Sequence, residues 1–232
     1  MFGTFAALGF AAVAVNLFTP LPAAFVGMRV GSAAAGVTVA LTALLVLLTA
    51  DSASSVMYLV QFGIPGVALP WLLNRGFAWD KAAVTVLWAM VAASICGLLV
   101  VSAFSGQSPL VTVSDLIGKE IVQTTTIMQD MFADADLPAV QKREVGLAIE
   151  NMASFLEKAY PGIAITVSGL MVVGLVFMLS LLARGRYTVP GRAFPEWKSP
   201  EWLVWILITA GFLVAFVEGI AGTFALNLLV IL

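Results

Sequence analysis

Few side chains of this protein could carry out chemistry, and most of the reactive types are missing. The sequence contains 0 His and 1 Cys, which excludes Cys/His zinc sites, His-ligated haem, and Ser-His-Asp or Cys-His catalysis. Carboxylates are almost confined to polar segments, so acid–base catalysis has few candidates. A net charge of -2 argues against a nucleic-acid partner, because neutralising phosphates requires clustered Lys and Arg. We therefore expect no enzyme activity, no cofactor and no metal site.

Polar side chains and helix-breaking prolines inside apolar segments are the best candidates for a ligand site. Prolines and glycines free backbone carbonyls, and such breaks are tolerated where protein or a water-filled cavity covers them. Polar groups within a bilayer either mark binding sites or form hydrogen bonds between helices. For these residues the alternative to ligand binding is therefore helix packing. For Glu218 it is a position at the membrane interface. The ligand-binding candidates are Asn16, Pro20, Pro22, Gln61, Pro65, Glu218 and Asn227.

The composition determines which elements must position these residues. Residues of the types AVILMFWYC make up 61% of the chain and DEKR only 10%, whereas soluble domains have about 45–50% apolar and about 25% charged residues. The chain therefore has too little polar surface for a soluble fold and is integral to a membrane. The expected fold is all-α: a polytopic transmembrane helical bundle of about six to seven spans with an extramembrane helical hairpin.

The apolar runs can be compared with the roughly 20 residues that a membrane-crossing helix needs. Residues 1–105 hold spans one to four, and residues 161–232 hold spans five and six and the start of a seventh. Asp80 is predicted to cap the fourth span, and Pro161 to begin the fifth. The predicted runs are 2–18, 31–50, 54–73, 81–104 and 161–183, followed by a sixth from Trp202.

The last apolar run is too long for a single span. From Trp202 to Leu232 there are 31 residues, about 46 Å of helix. We predict that the helix breaks beside Glu218, at Gly219 and Gly222, because glycine interrupts helices readily.

Residues 106–160 form the expected hairpin outside the membrane. Apolar residues such as Val113, Ile117 and Ile121, and later Val145 and Ile149, recur at spacings of three and four, which is typical of amphipathic helices. Residues 134–138 supply the turn between them. The two helices either pack on each other or lie along the membrane surface. Alternatively, they form a lid or a docking surface for a partner.

The distribution of Lys and Arg predicts the orientation. Four basic residues place the loop 184–201 in the cytoplasm, and 106–160 then lies outside. The expected location is the bacterial cytoplasmic (inner) membrane. The interface anchors are predicted to be Trp197, Trp202 and Trp205, together with Arg29, whose long side chain can reach the phosphates.

Four segments, together with the external acidic helical segment in the middle of the chain, resemble the YybS-like family of bacterial predicted membrane proteins, a family of unknown function. They are Thr19-Pro20-Leu21-Pro22, the stretch from Gly27 to Gly31, the Trp- and Pro-rich stretch from Phe194 to Trp205, and Leu226-Asn227-Leu228-Leu229. The family is in turn distantly similar to the S components of energy-coupling-factor vitamin transporters, which also begin with a Pro-containing first loop. The resemblance implies a bacterial membrane protein that continues with further spans after Leu232.

Two functions remain open from the sequence. The first is a small-molecule binding or transport subunit that resembles S components, with its cavity near the broken first and third spans. The alternative is a structural or scaffolding membrane protein that recruits partners through its hairpin or its loops. The expected partners are the lipid bilayer and either a small-molecule ligand or a protein, which could be a second copy of the chain.

Overall fold

The computed structural model describes residues 18–50, 52–133, 139–183, 185–198 and 200–232. This part of the chain contains helices and loops and no β-strand, as expected for an all-α protein. The predicted first span at 2–18, except its last residue, and the predicted turn at 134–138 lie outside the described residues.

The helices follow one another with short connections. A π-helical turn, Leu59–Gly63, joins α3 to α4, and a short 3₁₀ turn, Phe194–Glu196, lies in the loop after α7. The helices are α1 Leu21–Arg29, α2 Ser32–Thr49, α3 Ser52–Tyr58, α4 Ile64–Asn74, α5 Trp79–Ser105, α6 Pro109–Ala133, α7 Ala139–Ala183, α8 Trp202–Phe216 and α9 Ile220–Ile231.

Several of these helices are long and apolar enough to cross a membrane. Within the described residues they are Ser32–Thr49, Ser54–Asn74, Trp79–Phe104 and Arg143–Ala183. The helices α8 and α9 are also apolar but shorter. Large apolar side chains such as Leu48, at 73% exposure, and Trp88, at 68%, cover the outer surfaces. Apolar surface of this extent suits a lipid environment, and the predicted class of helical membrane protein is confirmed.

The described residues form two compact units. One consists of residues 18–97 and 167–198, and the other of residues 98–166 and 200–232. In the first unit, α1 packs against α2 and α4. Its apolar core includes Leu69 from α4, Val86 from α5 and Leu175 from α7. In the second unit, α8 packs against α9.

Two local predictions differ from the structure, and one helix was not predicted. Between the predicted first and second spans lies the short helix α1, with Pro22 in its first turn. The helix α5 begins at Trp79, so Asp80 lies in its first turn and does not cap it; its negative charge there complements the helix dipole. Pro161 does not begin a helix, because α7 continues through it.

The predicted break in the last apolar run is confirmed. The helix α8 ends at Phe216 and α9 begins at Ile220. Val217 is extended, and Gly219 has a φ of 80°, a left-handed conformation that suits glycine. A side chain at Gly222 would meet the carbonyl oxygen of Val217, so the turn also needs a glycine at this position.

Candidate functional site

The proline-rich segments that were candidates for a cavity lie in a closely packed region between α1 and α4. Pro20 and Pro65 are completely buried. A methyl group added at Gly27 of α1 would lie 2.6 Å from Cγ of Pro70 in α4, so the two helices approach as closely as their backbones allow. These prolines therefore contact other helices, and Pro22 is exposed on α1.

A side-chain amide holds the same two helices together. Nδ2 of Asn74, at the end of α4, donates a hydrogen bond of 3.0 Å to the carbonyl oxygen of Gly27 in α1. Residues Gly27 and Asn74 are 47 positions apart in the chain, and the sequence did not single out this pair. Gln61 is half-buried in the π-helical turn, a distortion that often accompanies functional sites. Asn16 lies outside the described residues.

The side-chain amide of Asn227, in α9, forms two hydrogen bonds to the backbone in the middle of α7, and we call this arrangement the clamp. Its Oδ1 accepts a hydrogen bond of 2.6 Å from the backbone N–H of Gly162, and its Nδ2 donates one of 2.8 Å to the carbonyl oxygen of Lys158. These two backbone groups are four residues apart, which is the spacing of a regular helical hydrogen bond. The amide of Asn227 thus connects the donor and the acceptor of one backbone hydrogen bond of α7. This position lies directly beside Pro161, which has no N–H of its own.

A second contact extends this clamp. The hydroxyl of Thr166 lies 2.9 Å from the carbonyl oxygen of Val230 and 2.9 Å from that of Gly162. A methyl group at Gly162 would lie 2.8 Å from the carbonyl oxygen of Asn227, so only glycine permits the close approach of α7 and α9. Asn227 is therefore engaged in helix packing. Glu218 is exposed at the break between α8 and α9, apart from this clamp.

The first unit presents an ordered loop that packs on the start of α5. Trp79 is 6% exposed, and its indole N–H donates a hydrogen bond of 2.8 Å to the carbonyl oxygen of Arg192. Its backbone N–H donates another of 2.8 Å to the carbonyl oxygen of Pro190. The ring of Phe194 stacks on the indole at a centroid distance of 4.3 Å. The buried tryptophan therefore fixes the loop residues 190–194.

Tyr187 fastens the beginning of the same loop. Its hydroxyl donates a hydrogen bond of 2.7 Å to the carbonyl oxygen of Leu179, near the end of α7. Burial raises the pKa of Tyr187, against the opposing effects of the positive charges of Arg186 and Arg29. The raised pKa keeps the hydroxyl protonated and able to donate.

A groove of about 540 Å³ lies between this loop and the first turn of α5. We call it the basic groove, because three cations and one carboxylate line it. The backbone of Gly191, with a φ of 121°, forms part of its wall, and a methyl group there would lie 2.7 Å from Cδ1 of Trp79. The basic groove is lined by Ala78, Trp79, Asp80, Lys81, Gly191, Arg192, Trp197 and Lys198.

The predicted interface anchors are all exposed. The ring of Trp197 lies 6.0 Å from that of Trp79 and borders the basic groove. Trp202 and Trp205 are 58% and 71% exposed on the first turn of α8, where an aromatic ring can meet the headgroup region. Arg29 lies in the last turn of α1, with its guanidinium 5.7 Å from the centre of the Phe25 ring.

The fold and these contacts define a multi-helix membrane protein in which several polar groups, among them Asn74, Asn227 and Trp79, join separate helices and loops. The family model described as "Predicted membrane protein (DUF2232)" matches residues 1–232, and the chain belongs to this family. No curated protein and no solved structure matches the chain.

Proposed function

We propose that the protein is a structural membrane protein, without enzymatic activity, that recruits a protein partner through the first half of α7. The length of α7 carries this proposal. Its 45 residues make a helix about 67 Å long, more than twice the roughly 30 Å of membrane hydrocarbon. Charged residues of the first half, such as Glu144 and Glu150, are exposed and costly to place in hydrocarbon. This half therefore extends into water.

The extended half also exposes apolar side chains. Leu147 and Phe155 are 53% and 47% exposed, whereas Ile149 on the opposite side of the helix is 4% exposed. Of the predicted apolar stripe, Ile149 is therefore buried within the protein, and a second apolar surface, at Leu147 and Phe155, is left in contact with water. Exposed apolar side chains on a rigid element are typical of protein-binding surfaces.

The use of the polar groups inside the bundle supports the same function. The amides of Asn74 and Asn227 join helices, and Pro20 and Pro65 are buried against neighbouring helices. A ligand pocket needs a few convergent polar groups to orient its ligand. These groups are engaged in packing, which favours a rigid scaffold.

A small-molecule binding or transport subunit is the second candidate. It is supported by the resemblance to the YybS-like family and to S components, and by an open groove of about 570 Å³ beside the π-helical turn. This groove is mainly apolar, and Ser32 is the hydroxyl residue of its lining. Its ligand would have to be bound chiefly by apolar contacts.

Native mass spectrometry of the gently purified protein distinguishes the two functions. We expect a stoichiometric protein partner with the wild-type chain, and its loss in Leu147→Glu, because a carboxylate would have to be desolvated in the contact. Thr188→Glu is the matched control, since it adds the same charge to an exposed loop position and should keep the partner. A co-purified small molecule without a protein partner would contradict the scaffold proposal and favour the second candidate.

The proposed location is the bacterial cytoplasmic membrane, with 106–160 outside and 184–201 in the cytoplasm. The asymmetry of Lys and Arg supports this orientation. In a Cys96→Ser background, Lys119→Cys should react with a membrane-impermeant thiol reagent in intact cells, and Thr188→Cys should react only after lysis. The reverse pattern would show the opposite orientation.

A further inference from the structure

We propose that the basic groove binds the phosphate of an anionic phospholipid headgroup. This inference concerns the other unit of the protein and does not depend on partner recruitment by α7. Lys81, Arg192 and Lys198 line the groove, and Asp80 is the one carboxylate among its lining residues. The three cations therefore outnumber the carboxylate by two charges, which favours an anionic ligand.

The position of the groove at the end of a membrane-spanning helix favours a lipid. The candidate span Trp79–Phe104 begins at the groove, and Lys81 lies in the first turn of that helix. Arg192 and Lys198 come from the polar loop that follows α7. Cations at this level meet the phosphates of the adjacent leaflet, and basic pockets between spans bind anionic headgroups.

The groove offers an aromatic surface beside its charges. Trp197 is 45% exposed and tilts toward the buried Trp79 at a ring distance of 6.0 Å. Tryptophan rings prefer the headgroup region because one side is apolar and the N–H is polar. A phospholipid presents the same combination, a charged phosphate next to an apolar glycerol ester region. A free phosphate ion would use only the cations.

The protein holds this site in shape before any ligand binds. The two hydrogen bonds from Trp79 fix the backbone at Pro190 and Arg192, and Phe194 stacks on the same ring. The backbone of Gly191 lies too close to the indole to allow a side chain. Because the loop that carries Arg192 is already ordered, little conformational entropy opposes binding.

The test is native mass spectrometry of the whole protein released from nanodiscs that contain equal amounts of phosphatidylglycerol and phosphatidylcholine. We expect the wild-type protein to retain phosphatidylglycerol preferentially. The double variant Arg192→Gln/Lys198→Gln should lower the ratio of retained phosphatidylglycerol to phosphatidylcholine by about thirtyfold, from the usual contribution of two cations at an anionic surface. The matched control is Lys119→Gln/Arg143→Gln, which removes two exposed cations elsewhere and should leave the ratio unchanged.

Three results would overturn the proposal. The ratio could stay the same in the groove variant, or it could fall equally in the control, which would indicate general charge attraction. The third result concerns soluble phosphates: glycerol 3-phosphate could bind the protein in pure phosphatidylcholine nanodiscs, fail to bind the groove variant, and leave phosphatidylglycerol without preference. That outcome would assign the groove to a soluble phosphate ligand.

Discussion

The hydrogen bonds of Asn227 lead to the sharpest test of how this membrane protein is held together. Replacement by Leu keeps the branched shape of the side chain and removes both hydrogen bonds to α7. Interhelical hydrogen bonds in membranes contribute about 0.6 kcal/mol on average and up to about 1.7 kcal/mol each. The freed N–H of Gly162 and the carbonyl oxygen of Lys158 have the spacing to bond to each other, which limits the loss. We expect Asn227→Leu to cost about 1–2 kcal/mol.

The cost can be measured by reversible unfolding of the purified protein in mixed micelles with increasing SDS. Asn151 provides the matched control, because it is an exposed amide on α7, the helix to which Asn227 of α9 bonds. Asn151→Leu should change the free energy of unfolding by less than about 0.5 kcal/mol, as is usual for surface positions. Equal losses in the two variants, or no loss in Asn227→Leu, would refute the assignment of Asn227 to a packing role.

A second pair of variants tests the geometry of the same clamp. Gly162→Ala places a methyl group 2.8 Å from the backbone oxygen of Asn227, and backbone atoms cannot rotate away. Overpacking of this kind costs about 1–3 kcal/mol. At Gly169, seven residues along α7, the methyl group would lie 3.7 Å from Leu87, an ordinary contact. Gly169→Ala should therefore be neutral or should stabilise the helix, and a destabilisation as large as that of Gly162→Ala would contradict the geometry.

Three further predictions follow from the first unit. Gly27→Ala should lower the SDS unfolding midpoint, with a cost of about 1–3 kcal/mol, because the methyl group would press on the rigid ring of Pro70. The control is Gly36→Ala, whose methyl group meets nothing within 4 Å and should leave the midpoint unchanged. Equal effects of the two variants would argue against close packing of α1 on α4. Tyr187→Phe should cost about 1 kcal/mol through the lost bond to Leu179. Burial raises the pKa of Tyr187 in the folded state. The extra free energy of unfolding of the wild type over Tyr187→Phe should therefore be complete below about pH 10, the usual tyrosine pKa, and should disappear as the pH rises through the raised pKa. A difference that persists at higher pH in unfolding titrations would contradict this. Trp79→Phe should speed tryptic cleavage after Arg192, because the loop loses its hydrogen bond to the indole N–H. The control, Trp205→Phe at an exposed position, should leave the cleavage rate unchanged. Equal rates in both variants would show that Trp79 does not hold the loop.

Much of the architecture could be predicted from local sequence patterns. Apolar runs predicted the long spans, because a helix in lipid must be apolar over about 20 residues. Glycines beside Glu218 predicted the break between α8 and α9, since the required backbone conformation suits glycine. Local patterns were less accurate at helix ends, and α1 was missed because its nine residues lie between two breaking signals.

The roles of the polar candidates could not be predicted in this way. An amide in an apolar run has the same local pattern whether it contacts a ligand or a neighbouring helix. For Asn227 the decisive partner, Gly162, is 65 residues away in the chain, and for Trp79 the partner Arg192 is 113 residues away. Only the packing of the helices brings these groups within hydrogen-bond distance.

The sequence by itself therefore determined the class of the protein, a helical membrane protein, because the preference of side chains for lipid or water acts residue by residue. The tertiary structure decided which polar groups join helices and which remain exposed. It also brought Arg192 and Lys198 beside Lys81 to form the basic groove. Charge and hydrogen-bond partners depend on distances in space, and these are determined by the packing of segments that are far apart in the chain.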